Sequence, residues 1–258
     1  MPFEGTPMED LRKIVFCATQ RTGSALVVDD FCNLLGGWPV DAEALYTDIF
    51  RVKSAVDWPE LWRKTCASNR IGDFVVVKVM FHYAAYIADF MRGVALPRRP
   101  PLFSFDPKRL GNFYAFFQGA TWVHIQRRDI CAQAVSMYFA ENTDLWERRS
   151  DPGSTAIAGT SYPPYDRVKL LDLARRLQLE NAQWNRFFEH NRISPIHIFY
   201  EEAASDYPKY LDELVSKVGA KPKLLAPGRR MFKLGTERNT EYVERLRKEF
   251  GGTPGAAP

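Results

Sequence analysis

Apolar positions along the chain fall into short continuous runs that alternate with stretches of helical period. Ile14-Val15-Phe16-Cys17-Ala18 is the first run, and it stops at Thr19-Gln20-Arg21-Thr22-Gly23-Ser24, so it reads as a buried strand followed by a turn. From Ser24 the spacing changes. Val27, Phe31, Leu34 and Leu35 recur on one helical face, and Gly36-Gly37 closes the helix. Phe74-Val75-Val76-Val77-Lys78-Val79-Met80 is almost unbroken and β-branched, as a strand covered on both faces should be. Thr121-Trp122-Val123-His124-Ile125 is the next run, ending at Arg127-Arg128-Asp129. There Asp129 suits the N-cap of a helix from Ile130 to about Ala140. A long helix starting near Asp166 carries Leu170, Leu173, Leu177, Trp184, Phe187 and Phe188 on one stripe, and Ile196 to Tyr200 follows as a fourth strand. Strands alternating with helices predict an α/β fold of three layers, with a mainly parallel central sheet flanked by helices.

Composition narrows the function classes. Lys and Arg total 35 against 31 Asp and Glu, a net charge of +4 in 258 residues. That excess is too small for a general nucleic-acid binder and leaves room for a local basic pocket that takes a small anion. The longest stretch free of charged side chains, Leu110 to Gln126, contains Gly111, Asn112, Gln118, Gly119 and His124 and is too short and polar to span a bilayer. The first ten residues lack the basic start and apolar core of a signal peptide. Cys17, Cys32, Cys66 and Cys131 show no metal or redox spacing, so buried reduced thiols in a cytoplasmic protein are expected. Residues 94–108 form a basic, Pro-rich connection, and residues 148–165 are rich enough in Gly, Ser, Thr and Pro to serve as a lid. No repeat or composition break divides the chain. One domain over 1–250 and a disordered tail over 251–258 are expected.

The first strand–turn–helix presents Arg21, Thr22, Gly23, Ser24 and Ala25 at a helix N-terminus, where unpaired amides and the dipole suit phosphate or sulfate. An ordinary turn needing Gly and a capping Ser would look the same. The segment lacks the leading Gly and the Lys of a nucleoside-triphosphate P-loop, and neither later strand ends in the Asp that would hold magnesium. Arg21, Lys78 and Arg127-Arg128 instead put cations at three strand ends, which suits an anion arriving without a metal.

Taken together, Arg21-Thr-Gly-Ser, Val77-Lys78-Val-Met-Phe and the segment His124 to Ser136 resemble the bacterial trehalose 2-sulfotransferase type, among the sulfotransferases that use 3′-phosphoadenosine 5′-phosphosulfate (PAPS). The similarity continues at Trp146, Trp184 and Tyr200-Glu201-Glu202. It ends at Thr240 to Arg247, where the family usually has Trp in place of Tyr242. The resemblance implies a P-loop-type version of the three-layer fold and transfer of a sulfuryl group from PAPS to a hydroxyl of a saccharide, glycolipid or other small acceptor. Adenosine 3′,5′-bisphosphate would be left behind, no metal is expected, and a homodimer is implied. Residues Arg21 to Ala25 would cradle the 5′-phosphosulfate, while Arg127 or Arg128 with Ser136 would hold the 3′-phosphate; Arg127 fits the family register better. Arg21 and Lys78 are the candidates for stabilising charge at the transferring group.

The acceptor hydroxyl needs a base, and the resemblance points to a carboxylate in the loop after the first helix. Glu43 ranks first, His82 second and Asp41 third. Trp38, Phe81, Tyr83, Trp146, Tyr162 and Tyr165 flank the proposed acceptor side, although most such aromatics are plain core. A small-molecule kinase and a non-catalytic nucleotide-binding module are the competing readings.

Overall fold

The structure, a computed structural model, describes residues 11–37, 45–46, 49, 58–93, 105–146, 162–223, 228–231 and 237–251. Its strands are β1 (Arg12–Ala18), β2 (Arg70–Ile71), β3 (Phe74–Met80), β4 (Thr121–Gln126) and β5 (Ile196–Phe199). The described helices are α1 (Ser24–Leu34), α2 (Trp58–Ser68), α3 (Phe81–Met91), α4 (Pro107–Phe116), α5 (Ile130–Thr143), α6 (Arg167–His190), α7 (Tyr200–Ser205), α8 (Tyr207–Val218) and α9 (Glu237–Gly251).

Four strands stand where the apolar runs predict them and pair in parallel, giving the order β2-β3-β1-β4-β5. The fifth, β2, is only two residues long. It folds back antiparallel on β3 through Gly72 at φ +59°, and a two-residue strand leaves no periodic signal. Tyr200, expected to close the last strand, instead opens α7, and Gly251, expected in a disordered tail, is the last residue of α9. Residues 252–258 lie outside the described residues.

Alternation along the strands sorts the core into two faces. Val15, Cys17, Val77 and Val79 pack on α3, α4 and the second half of α6, where Phe113, Trp184 and Phe187 are buried. Ile14, Phe16, Val76 and Ile125 face α1 and α8 on the other side. A third cluster joins α5, the first half of α6 and α9 beside the sheet. All four cysteines are buried and free, and burial raises the Cys66 and Cys131 thiols to about 11. No described helix is long and apolar enough to cross a membrane.

The topology sets where a ligand can bind. From β1 the chain moves to β3 on one side, then returns to β4 on the other, so the connections leaving β1 and β4 part in opposite directions. Sheets of this kind open a crevice at that point, outside the carboxyl ends of the strands.

Candidate active site

The turn leaving β1 is held on all sides by side chains from distant elements. Trp184 Nε1 donates to the Ala18 carbonyl at 2.8 Å, and Gln133 Nε2 donates to Thr19 Oγ1 at 2.8 Å and to the Gln20 carbonyl at 2.5 Å. Arg176 Nη2 donates to Gln20 Oε1 at 3.0 Å, and the Thr22 hydroxyl closes the turn on the Thr19 carbonyl at 2.9 Å. This clamping sustains an uncommon backbone: Arg21 sits at φ +62°, a conformation that costs a non-glycine residue of order 1–3 kcal/mol. Gly23, at φ +80°, is the N-cap of α1 and has no side chain to cap with. The first helical bond runs from Val27 N–H to the Gly23 carbonyl at 3.1 Å, so the amides of Ser24, Ala25 and Leu26 precede the hydrogen-bonded ladder. Ser24 itself is buried.

The connection leaving β4 meets this turn. Arg127 Nη1 donates to the Arg21 carbonyl at 3.4 Å, and Arg21 Nε donates to Ser136 Oγ at 3.0 Å from the second turn of α5. Arg21 Nη1 also donates to the Trp146 carbonyl. Asp129 caps α5 as expected, accepting from the Ala132 amide at 2.9 Å. Arg127 is half-buried. Its Nε is buried with no hydrogen-bond partner among the described residues, and its Cζ lies 4.7 Å from the centroid of the Tyr200 ring. Burial lowers the Arg127 pKa from its ordinary value, opposed by Tyr200, Asp129 and Glu201. Arg128 turns the other way: its guanidinium stacks 3.9 Å over Phe199, pairs with Glu202 and is half exposed. Arg127, rather than Arg128, carries the hydrogen bond to the Arg21 carbonyl, and Arg21 in turn bonds Ser136.

On the next strand, Lys78 is not at the end but two residues short of it. It is buried and in register with Phe16, which puts its side chain on the α1 face of the sheet. His82, in the first turn of α3, is buried with Nδ1 3.6 Å from Glu180 Oε2, and Arg176 Nε lies 3.8 Å from Glu180 Oε1. Both distances are too long for hydrogen bonds. His82 therefore belongs to a mostly buried polar cluster that reaches the turn through Arg176 and Gln20.

Residues 51–249, most of the chain, match the profile of the Stf0 sulphotransferase family. The chain belongs to that family. Two trehalose 2-sulfotransferases are similar to it. The one from Mycobacterium tuberculosis (strain ATCC 35801 / TMC 107 / Erdman) is 28% identical over 128 residues, covering 50% of this chain and 46% of the relative. The one from Mycolicibacterium smegmatis (strain ATCC 700084 / mc(2)155) is 27% identical over 127 residues, covering 49% and 45%. The chain thus spans about half the length of the curated relatives it matches. The sulfotransferase domain of the Synechococcus PCC 7002 olefin synthase is similar at a TM-score of 0.43 and 13% identity, covering 100% of this chain and 92% of that one; the likeness is too slight to bear on function.

The Stf0 match contains Lys78, His82, Arg127, Arg128 and Ser136, whereas the turn from Arg21 to Ala25 precedes it. Asp41, Glu43 and Trp38 lie outside the described residues, as do residues 94–104 and 147–161, which hold most of the basic connection and of the expected lid. Among the aromatics, Phe81 is core, edge-on to Trp184, and Tyr162 and Tyr165 pack against Phe139 and Tyr242 of the third cluster. Tyr83 stacks on Tyr46 at 3.2 Å, and Trp146, pinned to Asp144 through its indole N–H at 2.9 Å, is exposed beside Arg21. The sequence reading gave no site role to Gln133, Glu180 or Tyr200. The first two carried a signal: each is a polar residue set within an otherwise apolar helical stripe, Gln133 one turn before Ser136, Glu180 between Leu177 and Trp184.

Proposed function

We propose that this member of the Stf0 family transfers the sulfuryl group of PAPS to a hydroxyl of a saccharide, glycolipid or other small acceptor. One observation carries the reading. The amides at the start of α1 that precede its hydrogen-bonded ladder, the Arg21–Ser136 pair and the half-buried Arg127 guanidinium lie together past the ends of β1 and β4, where Arg21 bonds Ser136 at 3.0 Å and Arg127 bonds the Arg21 carbonyl at 3.4 Å. A half-buried guanidinium whose Nε is buried with no partner among the described residues is a donor waiting for an anion, and guanidinium forks bind phosphate through charge-assisted bonds. In this reading Thr22, Gly23, Ser24 and Ala25 offer backbone to the 5′-phosphosulfate, and Arg127 with Ser136 takes the 3′-phosphate. Arg21 and Lys78 offset charge at the bridging oxygen. The names of the two mycobacterial relatives support a sugar as acceptor.

The chemistry is an in-line displacement. The acceptor oxygen forms a bond to sulfur as the sulfur–oxygen bond to the nucleotide breaks, and the acceptor's proton passes to a base. The protein's part is to position the two reactants and to meet the charge on the departing nucleotide. Glu43 is the proposed base, ahead of His82 and Asp41. Glu43→Gln should lower kcat by roughly 10²–10⁴-fold while leaving adenosine 3′,5′-bisphosphate binding intact. Unchanged turnover in that variant transfers the role to His82 or Asp41.

Two measurements test the reading as a whole. Thermal shift with adenosine 3′,5′-bisphosphate should stabilise the protein, whereas stabilisation only by ATP with magnesium would convert the assignment to a kinase. Incubation with radiolabelled PAPS and a library of glycosides should label a product. Absence of any labelled acceptor, with nucleotide binding retained, would reduce the protein to a binding module.

A further inference from the structure

Tyr200 opens α7 and is not among the groups assigned to the donor, yet its ring touches two of them. A Cβ built on Gly23 would overlap the ring, lying 2.9 Å from Cε2 and closer still to Cδ2. Glycine at 23 is therefore demanded twice, by φ +80° and by the space that Tyr200 fills. The same ring carries the Arg127 guanidinium at 4.7 Å from its centroid. Arg127's hydrogen bond to the Arg21 carbonyl is long, and Nε has no partner among the described residues, so the aromatic face supplies much of what fixes this cation. The next residue fixes the backbone: Glu201 accepts from the Arg128 amide at 3.2 Å and the Asp129 amide at 3.3 Å.

We propose that Tyr200 is a positioning residue, a spacer that sets the separation between the α1 N-terminus at Gly23 and the Arg127 guanidinium. The two anion-binding groups are thereby held apart at a fixed distance before ligand arrives, as the two phosphorylated ends of one nucleotide require. This rests on the donor reading above. The spacer touches no reacting atom and acts through Arg127. Its ring, rather than its hydroxyl, does the positioning.

The test titrates adenosine 3′,5′-bisphosphate calorimetrically into the full chain and into Tyr200→Phe, Tyr200→Leu, Arg127→Gln and the Tyr200→Leu/Arg127→Gln double variant. Melting temperatures are recorded in parallel. Tyr200→Phe should bind like the wild type. Tyr200→Leu should bind about 10-fold more weakly, and the same change should cost nothing further once Arg127 is gone. Tyr200→Met, which keeps bulk without a π face, replaces Leu if the Leu variant does not fold. Wild-type affinity in the Leu or Met variant, or an equal loss with and without Arg127, overturns the spacer while leaving the donor reading standing. If the wild-type chain itself does not bind the nucleotide, the donor reading falls and takes the spacer with it.

Discussion

Two basic side chains three residues apart on and just beyond β4 meet burial in opposite ways. His124 lies inside the strand, fully buried against Phe188 and His197, with both ring nitrogens unpartnered among the described residues. Burial, helped by His197, pushes its pKa down to about 3, so it gives up its charge and becomes a neutral core ring. Arg127 stands past the strand end, where it too loses water. A guanidinium does not deprotonate under these conditions, so its charge is kept and partly offset by the Tyr200 face, Asp129 and Glu201. Desolvation alone does not nominate a site; a retained charge with a donor unmet among the described residues is what supports the proposed one.

That contrast can be broken in three places. The largest effect should come from Arg127→Gln, which removes the retained charge. Nucleotide affinity should fall by roughly 100-fold or more, and the melting temperature should change little, because the group stabilises a ligand rather than the fold. Equal losses of affinity and stability would make Arg127 a structural cation. Next, Gly23→Ala forces a side chain into the Tyr200 ring and a left-handed backbone, and should cost about 1–3 kcal/mol in denaturant unfolding. An unperturbed midpoint would mean that the ring yields freely. The third effect is gradual, spread over pH, and concerns His124. Below its ordinary pKa of 6.5 the unfolded chain takes up a proton that the folded chain refuses down to about 3, so stability is lost as pH falls through that window. The loss is about 1.4 kcal/mol per pH unit, and His124→Leu should flatten the slope between pH 6 and 4 by that amount. A slope identical to the wild type would show that the ring is protonated in place.

Much of the fold could be read before any coordinates. The bounds of β3 match the predicted run to the residue because a strand buried on both faces is a continuous apolar string. The Asp129 cap and the placement of Ser136 two turns into α5 follow from local helix geometry, and both are found in the structure. Tyr200 could not be read the same way. Its ring acts against Gly23, far away in sequence, and against Arg127 across a strand pairing, so its meaning exists only once β4 and β5 lie side by side. The His82–Glu180 contact joins α3 to α6 and has no local signature either. Lys78 shows a subtler limit: read as a strand-end cation, it sits two residues inside β3, and which sheet face it takes depends on the register with Phe16.

The central place of β1 has a consequence for synthesis. Among the described strands it is the first to leave the ribosome, yet both its neighbours, β3 and β4, come from much later in the chain, starting at Phe74 and Thr121. At translation rates of about 5–20 residues per second, an uncovered Ile-Val-Phe-Cys-Ala segment waits roughly 3–12 s for its first partner and longer for its second. During that interval the nascent chain presents a sticky edge on both sides, and holdase chaperones that cover it should raise the yield of folded protein.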